Sequence, residues 1–302
     1  LQKFKENDDS VFIPELHLKS LLNLSKNGQL LDTFEEAMKL AKKYPDAFMV
    51  WEILGSLSAQ INKVDKAIEA YKKCILLKPD YANAYINLAV AYRAQGKLDD
   101  TINAYHKFIF LNPENADAYV NIGNVLQEQF KFDQAISSYN KAISLNPNSA
   151  QAFYNLGTAQ LALHKIENAI ECYSKALSIN PNYVQAHYNL GVALKDQGKF
   201  EDAITAYNKA ILLNPNYAQA YNNLGITLHI LGKLEDSVKA YDKAISLQPD
   251  YAEAYNNLGN TLHELGYLKD AVKAYKKAIS IKPDCAESYN NLGKAYNNKN
   301  QY

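Results

Sequence analysis

The sequence predicts an all-α solenoid built from 34-residue helical hairpins. Three observations carry this. Eight of the nine prolines (Pro45, Pro79, Pro113, Pro147, Pro181, Pro215, Pro249 and Pro283) fall 34 residues apart. Apolar residues between them recur at helical spacing in two blocks per period. A glycine or another turn residue separates the two blocks. One such unit is too small to bury its own apolar face, so stacking on its neighbours must do so.

The unit is clearest at 252–285, numbered here as positions 1–34. Ala254, Tyr255, Leu258 and Leu262 form the apolar stripe of a first helix. Gly259 lies inside that helix, where glycine costs about 0.5–1 kcal/mol relative to alanine. Close approach of the second helix is the expected compensation. Gly266 ends the first helix, since glycine takes a left-handed C′ conformation without penalty. Asp270 opens the second helix at the positive end of its dipole. Ala271, Tyr275 and Ala278 form the second buried stripe. Pro283 has no amide donor and stops the helix.

The chain follows from this unit. Residues 1–13 are an irregular polar lead. Residues 14–47 form a degenerate capping repeat, with Gly28 at the turn and Pro45 at the stop. In it Leu21 replaces the packing glycine and Ala37 the tyrosine. Residues 48–302 are the solenoid, with seven full repeats starting at 48, 82, 116, 150, 184, 218 and 252. A partial repeat, 286–302, follows. The turn slot holds Asn62, Gly96, Gly198, Gly232 and Gly266, but Phe130 and His164 in two repeats. Bulky residues are disfavoured at positive φ, so those two turns are expected to differ in detail. Phe108, in place of a small buried residue, marks 82–115 as locally repacked.

Lys plus Arg and Asp plus Glu both number 32, so the net charge is zero. A nucleic-acid surface needs a basic stripe, and none is expected here. No apolar run reaches the length of about 18 residues that a membrane span needs. Cys74, Cys172 and Cys285 are odd in number and far apart, which suits neither a disulfide framework nor a metal site. The expected location is cytoplasmic. The chain opens at Leu1 rather than at a methionine and stops in mid-repeat at Tyr302. More repeats or another domain are therefore expected beyond it.

The pattern aromatic–x–x–Leu–Gly, then Ala, Tyr, Ala and Pro in a 34-residue frame, resembles the tetratricopeptide repeat. The resemblance is strong over 48–302 and weak over 14–47. It implies a right-handed superhelix with the first helices lining a concave face. Fold-level likeness says less about function.

Asparagine occupies position 6 without a gap, as Asn87, Asn121, Asn155, Asn189, Asn223, Asn257 and Asn291. In the family this slot faces the concave groove. A primary amide carries donors and an acceptor and can pair with a peptide backbone. The array is similar to the asparagine ladder of superhelices of the O-linked N-acetylglucosamine transferase type. The competing reading is a solvated family habit. Carboxylate-clamp members of the family place Lys and Arg at positions 2, 5 and 6. Here none of these slots is basic from residue 48 onward, so a clamp for acidic tails is not expected. Tyr154, Leu161, Tyr188, Val192, Ile226 and Ile230 cluster at groove positions and suggest a side-chain subsite, with Tyr154 and Tyr188 accepting a ligand group. Alternatively, some of them turn inward to fill gaps between repeats. His229 and His263 with Glu264 fall short of the three or four convergent ligands a metal needs.

The expected function is a non-catalytic scaffold that binds a protein or extended peptide, with no cofactor and no metal. Two other classes stay open. One is the substrate-recruiting N-terminal region of a larger glycosyltransferase or sulfotransferase. The other is a self-assembling protein, a homo-oligomer formed through the uncovered partial repeat.

Overall fold

A computed structural model describes Leu21 and residues 29–299. The lead over 1–13, Gly28 with the rest of 14–28 except Leu21, and residues 300–302 lie outside the described residues. Every regular element among the described residues is an α-helix, sixteen in all. The helices fall into two compact units divided between Pro147 and Asn148, a division that the 34-residue frame does not reveal.

The first unit holds α1 (Leu30–Lys43), α2 (Phe48–Gln60), α3 (Val64–Leu77), α4 (Ala82–Ala94), α5 (Leu98–Leu111), α6 (Ala116–Glu128) and α7 (Phe132–Leu145). The second holds α8 (Ala150–Ala162), α9 (Ile166–Ile179), α10 (Val184–Asp196), α11 (Phe200–Leu213) and α12 (Ala218–Ile230). It continues with α13 (Leu234–Leu247), α14 (Ala252–Glu264), α15 (Leu268–Ile281) and α16 (Ala286–Lys299). Within each unit α2, α4, α6, α8, α10, α12 and α14 each pair with the second helix of their own repeat, and each second helix packs on the next first helix of the same unit.

The mid-helix glycine has a specific neighbour. A Cβ built on Gly259 would lie 2.5 Å from Cε1 of Tyr275, and one on Gly157 would lie 2.8 Å from the same atom of Tyr173. The ring of the second helix thus lies directly on the first-helix backbone. Tyr139, Tyr173, Tyr207, Tyr241 and Tyr275 are among the largest fully buried side chains. Burying so much aromatic area offsets the cost of the glycine, since apolar burial contributes about 25 cal/mol per Å². Cys74 is buried in the slot that alanine fills elsewhere, and burial pushes its thiol up to about 12.

The turns correct one expectation. Phe130 and His164 adopt φ of 59° and 56°, the same left-handed conformation as Gly96, Gly198, Gly232 and Gly266. A non-glycine residue there costs roughly 1–2 kcal/mol. The packing of the two flanking helices holds the turn geometry, and the side chain is left exposed.

In the second unit α16 packs through Leu292, Ala295 and Tyr296 against Ala271, Val272 and Tyr275 of α15. Tyr289 of α16 is exposed.

Candidate peptide-binding face

The position-6 asparagines of the second unit sit on α8, α10, α12, α14 and α16, and those of the first unit on α4 and α6. All seven are half-buried. Four of them reach back to position 5 of the preceding repeat. Asn189 donates through Nδ2 to the Tyr154 hydroxyl at 3.1 Å, and Asn223 donates to the Tyr188 hydroxyl at 2.7 Å. Asn257 donates to Oδ1 of Asn222 at 3.3 Å. Asn291 donates to Oδ1 of Asn256 at 3.4 Å and to Oδ1 of Asn260 at 3.0 Å.

Tyr154 and Tyr188 sit between repeats. The Tyr154 ring tilts against Tyr183 at 4.8 Å between centroids and against Tyr173 at 5.9 Å. Tyr188 repeats the arrangement with Tyr217 at 4.9 Å and Tyr207 at 6.1 Å. Burial pushes both phenols up, while Asn189 and Asn223 pull them back by donating to the oxygen. Glu253 adds to the upward push on Tyr188. Leu161 packs beside Tyr154 on Tyr173 and Ala193. Val192 packs beside Tyr188, and Ile226 against Tyr241 and Leu258. Of the six subsite residues only Ile230 is strongly exposed. The other five each keep one flank in an inter-repeat cluster.

Sequence reasoning missed a buried polar chain in the last repeats. Asn222 and Asn256, at position 5, are 1 % and 5 % exposed. Asn222 donates to Glu253 at 3.5 Å and Asn256 to Glu287 at 3.1 Å. Ser288 donates to Asn256 at 2.9 Å, and the Tyr275 hydroxyl donates to Asn260 at 2.8 Å. A signal was present in the spacing. Position 2 is Glu253 or Glu287 where the preceding position 5 is Asn222 or Asn256, but Gln185 or Gln219 where it is Tyr154 or Tyr188.

His229 sets Nε2 3.3 Å from the Glu264 carboxylate and Nδ1 2.8 Å from the Thr261 hydroxyl. No three His, Cys, Asp or Glu side chains gather as a metal site among the described residues. No described helix is long and apolar enough to cross a membrane.

A family model described as the cilia and flagella-associated protein 70 C-terminal domain matches residues 81–295. A tetratricopeptide repeat model matches 55–96. The chain belongs to this tetratricopeptide repeat family. Its repeats are also similar to the peroxisomal targeting signal receptor of Saccharomyces cerevisiae, 34 % identical over 88 residues, 28 % of this chain and 14 % of the receptor. The receptor of Yarrowia lipolytica is 31 % identical over 97 residues, 31 % of this chain and 16 % of that protein. The matches thus span about a sixth or less of the length of these curated relatives.

Among solved tetratricopeptide structures, the chain is similar to YrrB, described as having an unusual peptide-binding site. That likeness has a TM-score of 0.55 and 27 % identity, and covers 62 % of this chain and 96 % of YrrB. MamA gives a TM-score of 0.52 at 31 % identity, covering 55 % and 97 %. The likeness to the Cut9–Hcn1 complex, 18 % identical with a TM-score of 0.61, concerns the fold alone.

Proposed function

We propose that the chain is a non-catalytic scaffold whose first-helix face in the second unit holds an extended peptide by its backbone. The amides of Asn155, Asn189, Asn223 and Asn257 are the grip. The observation that carries this is the fixed orientation of Asn189, Asn223 and Asn257 by one inter-repeat bond each. A primary amide has two N–H donors and an acceptor oxygen. One donor anchors each of these side chains, which leaves a donor and the oxygen for a peptide N–H and C=O. Pre-orientation lowers the entropy lost on binding. Asn291 donates twice within the protein and contributes its oxygen alone. Asn87 and Asn121 give the first unit the same chemistry on a shorter run.

Tyr154 and Tyr188 serve this reading as posts that set the ladder, with their exposed edges forming one wall of a side-chain subsite. The words attached to the relatives, a peptide-binding site and a targeting-signal receptor, support a peptide partner. A single hydrogen bond contributes only about 0.5–1.5 kcal/mol net, so several must act together and short peptides bind weakly. The test is a peptide-array pull-down with wild type and the chain carrying Asn155→Ala, Asn189→Ala, Asn223→Ala and Asn257→Ala. The variant is expected to lose its ligands while circular dichroism stays helical. Unchanged capture by a folded variant sinks the reading.

A further inference from the structure

Phe108 stands on α5 where other second helices carry Cys74, Ala142, Ala176, Ala210, Ala244 or Ala278. It is 5 % exposed, so a phenyl ring fills a slot elsewhere sized for a methyl or thiol. Within the first unit, the step from α5 to α6 is correspondingly the loosest between successive repeats. Beside it a cleft of about 390 Å³ opens between α5 and α7, with Ile102, Ile122 and Leu126 in its lining. That volume lies in the range of ligand pockets, about 300–1,000 Å³.

The α5 wall of the cleft carries Asn103 and His106. One turn further on the same face stands Phe110, 83 % exposed. The same position holds Ser144, Ser178, Ser246 and Ser280, and exposed leucines at Leu76 and Leu212, so the fold tolerates a polar residue there and Phe110 is the one aromatic at this slot. On the α7 wall Ser137 and Ser138 line the cleft, and Lys141 follows one turn later. Lys107 flanks Phe110. Both lysines are exposed, and among the described residues neither forms an ion pair. At the opposite end Asp99 is already matched, by Gln129 at 2.9 Å and Lys131 at 3.9 Å. The open end therefore pairs an exposed phenyl ring with two unmatched positive charges.

We propose that this cleft docks an acidic amphipathic segment of a partner protein. One apolar side chain enters between α5 and α7, a second covers Phe110, and carboxylates face Lys107 and Lys141. Charge complementarity selects the acidic partner, and the covered phenyl ring provides the anchor. This surface is separate from the asparagine face.

The experiment is a fluorescence-anisotropy titration of the full chain with a labelled helical probe. The probe carries leucines at i, i+3, i+4 and i+7 and glutamates elsewhere; a control probe has lysine for each glutamate. The glutamate probe is expected to bind and the lysine probe not to. Phe110→Ser, which installs the residue found in four of the later repeats, should weaken binding about tenfold. Phe108→Ala, which restores the small residue of the other repeats and lets α5 and α6 repack, is expected to bring a similar loss with an unchanged helical spectrum. Lys107→Glu with Lys141→Glu should invert the preference between probes. The chain lacking the four ladder amides should bind the glutamate probe as wild type does. No binding of the glutamate probe, equal binding of both probes, or unchanged affinity in Phe110→Ser and Phe108→Ala each overturns the proposal. So does loss of the probe in the ladder variant.

Discussion

Asn223 on α12 donates to the hydroxyl of Tyr188 on α10 at 2.7 Å, tying two successive repeats across their boundary. The bond is part of the stack as well as of the proposed grip. A double-mutant cycle of Asn223→Ala and Tyr188→Phe should therefore show coupling of about 0.5–1.5 kcal/mol in urea unfolding. Additive effects would mean that the pair is a bystander.

Gly259→Ala is expected to destabilise the chain by about 1–3 kcal/mol, because the new methyl would meet Tyr275 at 2.5 Å. Ala89 shows that one repeat tolerates the methyl, since Ala89 and its partner Tyr105 are both buried there. The check is the urea midpoint of Gly259→Ala against wild type. A rise in stability would show that helix propensity outweighs the ring contact.

His164→Gly should stabilise the chain by roughly 0.5–1 kcal/mol, relieving a left-handed residue at φ 56°. Asn62→Gly, at φ 59°, should gain less, since asparagine tolerates that region better. Thermal unfolding of the two variants side by side decides it; equal gains would remove strain as the cause.

The tyrosine hydroxyls differ in a way that substitution can read. Tyr139 donates to Asn124 at 2.9 Å and Tyr275 to Asn260 at 2.8 Å. The hydroxyl of Tyr207 is buried without a hydrogen-bond partner. Its repeat carries Val192 at the slot that holds Asn124 and Asn260 in theirs. Tyr207→Phe is thus expected to be neutral or stabilising, whereas Tyr139→Phe and Tyr275→Phe should each cost about 1 kcal/mol. A cost at Tyr207 equal to the other two would reveal a partner for that hydroxyl.

The repeat frame was legible because its determinants are local or volumetric. Gly259 with Tyr275 and Pro283 act within one hairpin, and the 34-residue spacing repeats them. What escaped depended on register between hairpins. Asn222 and Asn223 are neighbours with one chemistry, yet Asn222 is buried and Asn223 half-buried, because α14 covers one side of α12. Tyr154 and Tyr188 looked like groove aromatics, and they stack on Tyr183 and Tyr217 because position 34 of the same repeat folds back over position 5. Phe130 misled in the other direction. A strain of roughly 1–2 kcal/mol is small beside the burial of two helices, so the turn kept its shape with an unsuitable residue.

The most direct test of the peptide grip is the side-chain amide region of a nitrogen–proton correlation spectrum, recorded while an array-selected peptide is titrated in. The account predicts that the NH₂ signals of Asn155, Asn189, Asn223 and Asn257 shift together and saturate with one affinity, while those of Asn140 and Asn208 on the second helices stay in place. Saturable binding that leaves the four ladder amides unmoved would contradict it.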